Sequence, residues 1–304
     1  MQPLRYTEPL VIDPGGTVDI PITEQDIAYA ENFLASGDLA TATPLLEHLV
    51  ELAEDYISAA CQAGEDVQYF SFADPFERLA YRRVERDPRR LVQVGVPFDR
   101  LYSDMAFAYI SQRDYVSARN ALSQAVRWNP MNCNYRLDLA ELFRALDDTQ
   151  EWAALSNSVL ERASDGRAAA RAYANLGQFF CDADVPLAAS GCARLALRLA
   201  PNDPRTEKLI ARLTKEHPEV AEEPDGKAVA ELAAQGIPTS PSADIAVCLL
   251  MCATDAADAG DDELATKLTV RANSLVGEEA CRALTKLIRE SASESGPADA
   301  PEGA

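Results

Sequence analysis

Between Phe98 and Leu213 two stretches of the chain place small and aromatic residues at the same offsets. In the first, Tyr102, Met105, Ala106 and Tyr109 share one helical face, Asp114 and Tyr115 mark a turn, and Ala118, Leu122 and Ala125 lead to Pro130. In the second, Tyr173, Leu176, Gly177 and Phe180 recur, followed by Ala189, Ala193, Ala196 and Pro201. Self-similarity at a fixed period marks a chain of stacked units, each too small to bury its apolar face alone. The two prolines stand 71 residues apart, close to two periods of ~34 with three residues over. A middle unit, Cys133 to Ser164, therefore lies between them, with Leu139, Ala140 and Phe143 on its first helix and Trp152, Ser156 and Val159 on its second. The three additional residues are expected in its turn or in the Ser164-Asp165-Gly166 corner, where loop length costs little.

Ala106, Gly177, Ala118 and Ala189 are small where helices cross closely, and the aromatics fill the space that remains. Pro130 and Pro201 end the second helices because proline has no backbone donor to continue the ladder. These residues resemble the tetratricopeptide repeat family, whose pattern runs W-x2-L-G-x2-Y, then spaced alanine and phenylalanine, then proline. The resemblance is specific over 99–213. A weaker echo runs through 27–64 (Phe33, Gly37-Asp38-Leu39, Ala42, Leu46, Leu49) and 242–275 (Ala253, Gly260-Asp261, Ala265, Ala272). The middle unit departs from the family pattern, with Trp152 where a small residue is usual and Ser164 in place of the closing proline. The resemblance implies an all-α fold, an α-solenoid of antiparallel helical hairpins, five in all with the outer two divergent. It also implies a protein-protein interaction module or scaffold.

Three stretches break the period. Residues 1–25 read as an extended arm or a hairpin around Pro14-Gly15-Gly16, and any strand is expected there alone. Residues 26–64 form a divergent helical hairpin, and 65–98 an arginine-rich insertion before the array at 99–213. Residues 214–241, with Pro218, Glu222-Glu223-Pro224, Pro238 and Pro241, read as a Pro/Glu-rich linker holding one short helix from Lys227 to Gln235. Divergent C-terminal hairpins follow at 242–290, and a disordered tail at 291–304.

A net charge of −21 argues against general binding to nucleic acid or anionic membrane, which calls for a cationic face. The longest apolar stretch, around Ile245 to Ala253, falls short of the ~20 residues that span a bilayer. Met1 to Glu8 carries no secretory or transit pattern, so cytoplasmic residence is expected. Seven cysteines (Cys61, Cys133, Cys181, Cys192, Cys248, Cys252, Cys281) are scattered among apolar helical residues and read as reduced core thiols. His48 and His217 are the only histidines, and neither sits in a catalytic pattern. Asp261-Asp262-Glu263 lacks the spacing of a calcium loop and reads as an acidic first helical turn. No catalytic residue, cofactor or metal is expected, and the chain reads as non-enzymatic.

Two surfaces are candidates for a protein partner. Arg78, Arg82, Arg83, Arg86, Arg89 and Arg90 fall within thirteen residues of an otherwise acidic chain, and could grip phosphate or carboxylates or pair with the protein's own acids. The family resemblance places the first helix of each unit along a concave groove, where Ser103, Phe107, Asp138, Glu141, Asn175 and Gln178 would face a partner. Of the residues with which chaperone-binding members grip a peptide carboxylate, Asn175 and Arg171 alone have counterparts here. Asp138 and Glu141 instead suit a neutral or basic segment. The alternatives are an enzyme or enzyme subunit built on the solenoid, and phosphate or RNA binding through Arg82, Arg83, Arg86 and Arg90.

Overall fold

The computed structural model describes residues 20–294, with side chains described to residue 291. The expected arm lies outside the described residues up to position 19, as does the expected tail beyond position 294. The chain enters through α1 (Glu24–Ser36) and α2 (Leu39–Ala60), then β1 (Val67–Phe70), α3 (Pro75–Glu85) and β2 (Arg90–Gln93). Three hairpins follow: α4 (Phe98–Ser111) with α5 (Tyr115–Trp128), α6 (Cys133–Ala145) with α7 (Thr149–Leu160), and α8 (Gly166–Asp182) with α9 (Pro186–Leu199). Beyond them come α10 (Pro204–Glu216), a 3-10 turn at Pro218–Ala221, α11 (Asp225–Ala234), α12 (Ala243–Asp258), α13 (Asp262–Val276) and α14 (Glu278–Glu294). The protein is an all-α solenoid of helical hairpins, and among the described residues five hairpins are present: α1–α2, α4–α5, α6–α7, α8–α9 and α12–α13.

One local device makes the hairpin turns. Each has a left-handed residue between its helices: Gly37, Arg113, Asp147, Asp184 and Gly260. In four of the five the next residue is an aspartate (Asp38, Asp114, Asp148, Asp261) whose carboxylate accepts from the third backbone N–H of the returning helix. The left-handed residue reverses the chain and the aspartate satisfies a donor the helix leaves open. In the fourth hairpin Val185 stands at the cap, and Pro186, which has no N–H to satisfy, opens the helix.

The small residues lie where the repeat pattern requires them. Ala118, Ala140 and Ala189 are fully buried, and a Cβ on Gly177 would meet Leu209 and Cys192. The three extra residues appear mainly as an additional N-terminal turn on α8, which has 17 residues against 13 in α6 and 14 in α4. That turn meets α13, where Gly166 N donates to Ser274 Oγ.

Several expectations are corrected. Strands occur in the insertion, where β1 pairs in parallel with β2 from Val67↔Arg90 to Phe70↔Gln93. They are four residues each, too short for periodicity to register, and α3 serves as their crossover. Residues 214–241 are not a free linker: Val220, Ala228, Leu232 and Ile237 are buried, and the Tyr173 hydroxyl donates to Pro238 O at 2.8 Å. The apolar residues spaced between the prolines and glutamates hold this segment down. Helix α14 runs to Glu294, past the expected start of the tail at 291.

Helices α3, α12 and α13 together cover the corners between hairpins. Arg83 bonds Asp244 on α12 at 3.0 Å, Arg162 after α7 pairs with Glu85, and Ser71 N donates to Trp128 O at 2.9 Å.

Candidate functional site

A cleft of about 610 Å³ opens where α6, α8 and α10 come together. Helix α6 contributes Glu141 and Arg144, the following turn Asp147, and α7 Thr149 and Trp152. Helix α8 contributes Ala174, Asn175, Gln178 and Asp182, and α10 contributes Arg205 and Lys208. Helix α10 takes its place through a strong local start signal: Asp203 accepts from Thr206 N at 2.9 Å, and Pro204 occupies the first helical position.

Most carboxylates of this face are neutralised within the protein. Arg171 bonds Asp138 at 2.7 Å, Arg144 lies 3.5 Å from Glu141, and Arg212 bonds Asp182 at 2.7 Å. Arg212 also donates to Gln178 Oε1 at 3.1 Å, and Arg144 stacks 5.2 Å over the buried Trp152 ring. Arg205 and Lys208 are exposed, with no ion pair or hydrogen bond among the described residues. Asp147, at the rim, has no ion pair among the described residues either, so the unpaired charges of the lining are the cations of Arg205 and Lys208 and the carboxylate of Asp147.

Glu141, Asn175 and Gln178, expected in the groove, do meet here. Asn175, however, is only 4% exposed and donates to Ser156 Oγ at 3.2 Å, so it forms the floor and braces α8 on α7. Asp138 lies beside the cleft in its pair with Arg171. Ser103 and Phe107 belong to a neighbouring stretch on α4, where Phe107 is 51% exposed and Ile110 is exposed beside it. Between Ser103 and Phe107, burial and the adjacent Glu31 carboxylate push the Asp104 carboxyl above the usual range.

The arginine-rich insertion does not gather its charges on one face. Arg82 donates to the carbonyls of Asp87 and Arg89, closing the loop after α3, and Arg83 is held by Asp244. Arg89 chelates Asp87, whose carboxyl this hydrogen bonding holds well below the usual range. Arg86 and Arg90 point to solvent, Arg86 as the left-handed cap of α3. The positive run thus divides into structural ties and two separate exposed side chains.

Arg205, Lys208, Arg144 and Asp182 were not singled out from the sequence. The Asp203-Pro204 start signal marks a new helix there, and the spacing of Arg205 and Lys208 places them on one face of it. Asp261 accepts from Leu264 N at 3.0 Å, the geometry of a helix cap. Among the described residues no group of histidine, cysteine and carboxylate side chains is arranged to hold a metal, and no helix is long and apolar enough to cross a membrane. All seven cysteines are buried and none forms a disulfide, and burial pushes the Cys133 and Cys252 thiols up to about 12.

No protein-family model matches the chain, and no curated protein matches it. Among solved structures the chain is similar to pilF of Pseudomonas aeruginosa, at 15% sequence identity and a TM-score of 0.44, over 88% of this chain and 96% of that one.

Proposed function

We propose that the chain is a non-enzymatic interaction scaffold that receives an acidic segment of a partner protein in the cleft between α6, α8 and α10. The observation that carries this reading is that Arg205 and Lys208 are unpaired and exposed, while Glu141 lies 3.5 Å from Arg144 and Asp182 is bonded to Arg212, leaving Asp147 as the one lining carboxylate without an arginine among the described residues. Asp138 and Glu141 favour a basic segment only if they are free, and their pairing reverses that preference. In a chain of net charge −21, unpaired cations in a concavity supply the local complementarity that selects a partner. Phe107 and Ile110 offer apolar contact further along the same row of first helices.

The test is affinity capture of the tagged protein from its native cell, identification of the bound protein, and measurement of its affinity. Replacing Arg205 and Lys208 together by Glu is expected to weaken binding by about 2 kcal/mol or more, with helicity and melting unchanged. Added salt is expected to weaken the wild-type complex. Wild-type affinity in this double variant, with binding lost instead on replacing Arg86 and Arg90 by Ser, would move the site to the insertion.

A further inference from the structure

A buried polar knot fastens the insertion to the repeat array. Glu77 on α3 is 6% exposed, Asp99 on α4 is 2% exposed, and Asn129, just after α5, is fully buried. The Asn129 amide donates to Glu77 Oε2 at 2.9 Å and to Asp99 Oδ2 at 3.1 Å. Glu77 Oε2 also accepts from Ala73 N at 2.7 Å, and Asp99 Oδ2 from the Tyr135 hydroxyl on α6 at 3.3 Å. Asp99 Oδ1 and Asn129 Oδ1 have no hydrogen-bond partner among the described residues.

The surrounding charges do not favour two ionised carboxylates. At the N-cap of α3, Asp74 adds repulsion at Glu77, and the buried Arg78 that follows Glu77 is not among the groups that lower it. From α13, Arg271 is bonded to Asp74. On α4, Arg100 is taken up by Glu24 and Glu31, and Asp104 is a further acid. From α6 come Tyr135 and Cys133, whose ionisation burial disfavours. A neutral amide can bridge two acids but cannot balance their charge; burial disfavours the ionised form of each, and their mutual repulsion is a smaller addition at Glu77.

We propose that Glu77 and Asp99 are a proton-operated clasp, closed while at least one of them carries a proton and released when both ionise. Release frees α3 from Asn129, and with it the α12–α13 hairpin that Arg83 and Arg271 tie to α3. Burial, reinforced by Asp74, lifts Glu77 to about 7, and burial lifts Asp99 to about 6. Both acids hold protons in the folded protein that the unfolded chain gives up near the ordinary carboxylate range. The clasp's contribution is therefore full below about 3.8 and is lost as pH rises through about 6 to 7.

The experiment is hydrogen exchange on the full chain at pH 5.5, 6.5 and 8, corrected for the intrinsic rate, comparing β1–α3–β2 with α8–α9. Protection of 67–93 is expected to fall by about tenfold or more between the lowest and highest pH, while α8–α9 changes little. Glu77→Gln and Asp99→Asn are each expected to flatten that dependence, because one neutral partner keeps the clasp closed. Protection at 67–93 that does not change with pH in the wild type overturns the proposal, whether or not the variants fold. A full wild-type pH dependence retained in both variants also overturns it.

Discussion

Arg271 and Asp74 lie 197 positions apart in the chain, and Nη1 of the arginine stands 3.0 Å from Oδ2 of the aspartate. The same guanidinium lies 4.7 Å over the Phe76 ring and donates to Ser164. Asp74 in turn caps α3 by accepting from Glu77 N at 3.1 Å. One side chain therefore ties α13, α3 and the α7–α8 corner together. Units of an open solenoid touch only their neighbours. This chain instead folds its last hairpin back onto an element that precedes the central array.

Removing Arg271 is expected to expose how much of the stability that closure carries. In Arg271→Leu the Asp74 carboxylate stays in a largely buried place without its cation, so a loss of about 3 kcal/mol or more is expected. Arg271→Lys keeps a charge but not the planar fork or the stacking, and is expected to fall between the two. Urea denaturation of the three proteins measures it. A loss below about 0.5 kcal/mol in the leucine variant would show that the closure carries no weight.

The hairpin turns supply a second test. Gly37 and Gly260 have nothing within 4 Å of an added Cβ, so Gly260→Ala meets only the strain of its positive φ. A loss of about 1 kcal/mol is expected. Arg113 holds the equivalent position without being glycine, so Arg113→Gly is expected to be neutral or to gain up to about 1 kcal/mol. Thermal melts of both variants read out the opposite signs.

Ala118 and Ala189 test the register of the central units. Both are fully buried on returning helices, and a glutamate at either overpacks the crossing and brings in an unpaired charge. A loss of about 3 kcal/mol or more is expected from each. Unchanged melting in both would mean that these helices do not cross where the spacing puts them.

The central array was legible because its signal is repeated. Ala118 and Ala189, or Tyr102 and Tyr173, report the same packing twice, and Gly37-Asp38 and Gly260-Asp261 announce their hairpins by turn chemistry alone. What escaped the sequence depends on contacts between distant positions. Asn129-Pro130 and Pro201-Asn202 look alike as corners, yet Asn129 is fully buried between two acids while Asn202 is exposed. Asp138 reads as a free groove acid because its partner Arg171 lies 33 positions away, whereas the Glu141–Arg144 pair is an i,i+3 pairing on one helix that the spacing does carry. The strands at 67–70 and 90–93 are too short for their pattern to register, and the second opens inside the arginine run.

Two glycines in neighbouring packed helices should respond in opposite directions to the same added methyl. Gly191 lies on α9, where a Cβ would come within 2.7 Å of Ala228 O and 3.3 Å of Leu232 Cβ, both on α11. The nearer atom is backbone and cannot swing aside, so α11 must move, and Gly191→Ala is expected to lose about 1–3 kcal/mol. Gly226 lies in the first turn of α11 with nothing within 4 Å and no positive φ. There Ala relieves the entropy of an unneeded glycine, and Gly226→Ala is expected to gain up to about 1 kcal/mol. The comparison also tests how firmly the segment after α10 is packed. If it were a loose linker, Gly191→Ala would be tolerated, because α11 could drift off α9 at little cost. A measured loss at Gly191 with a gain at Gly226, by urea denaturation of the full chain, requires α11 to be seated against α9, while equal and small effects at both would return residues 214–241 to the status of a tether.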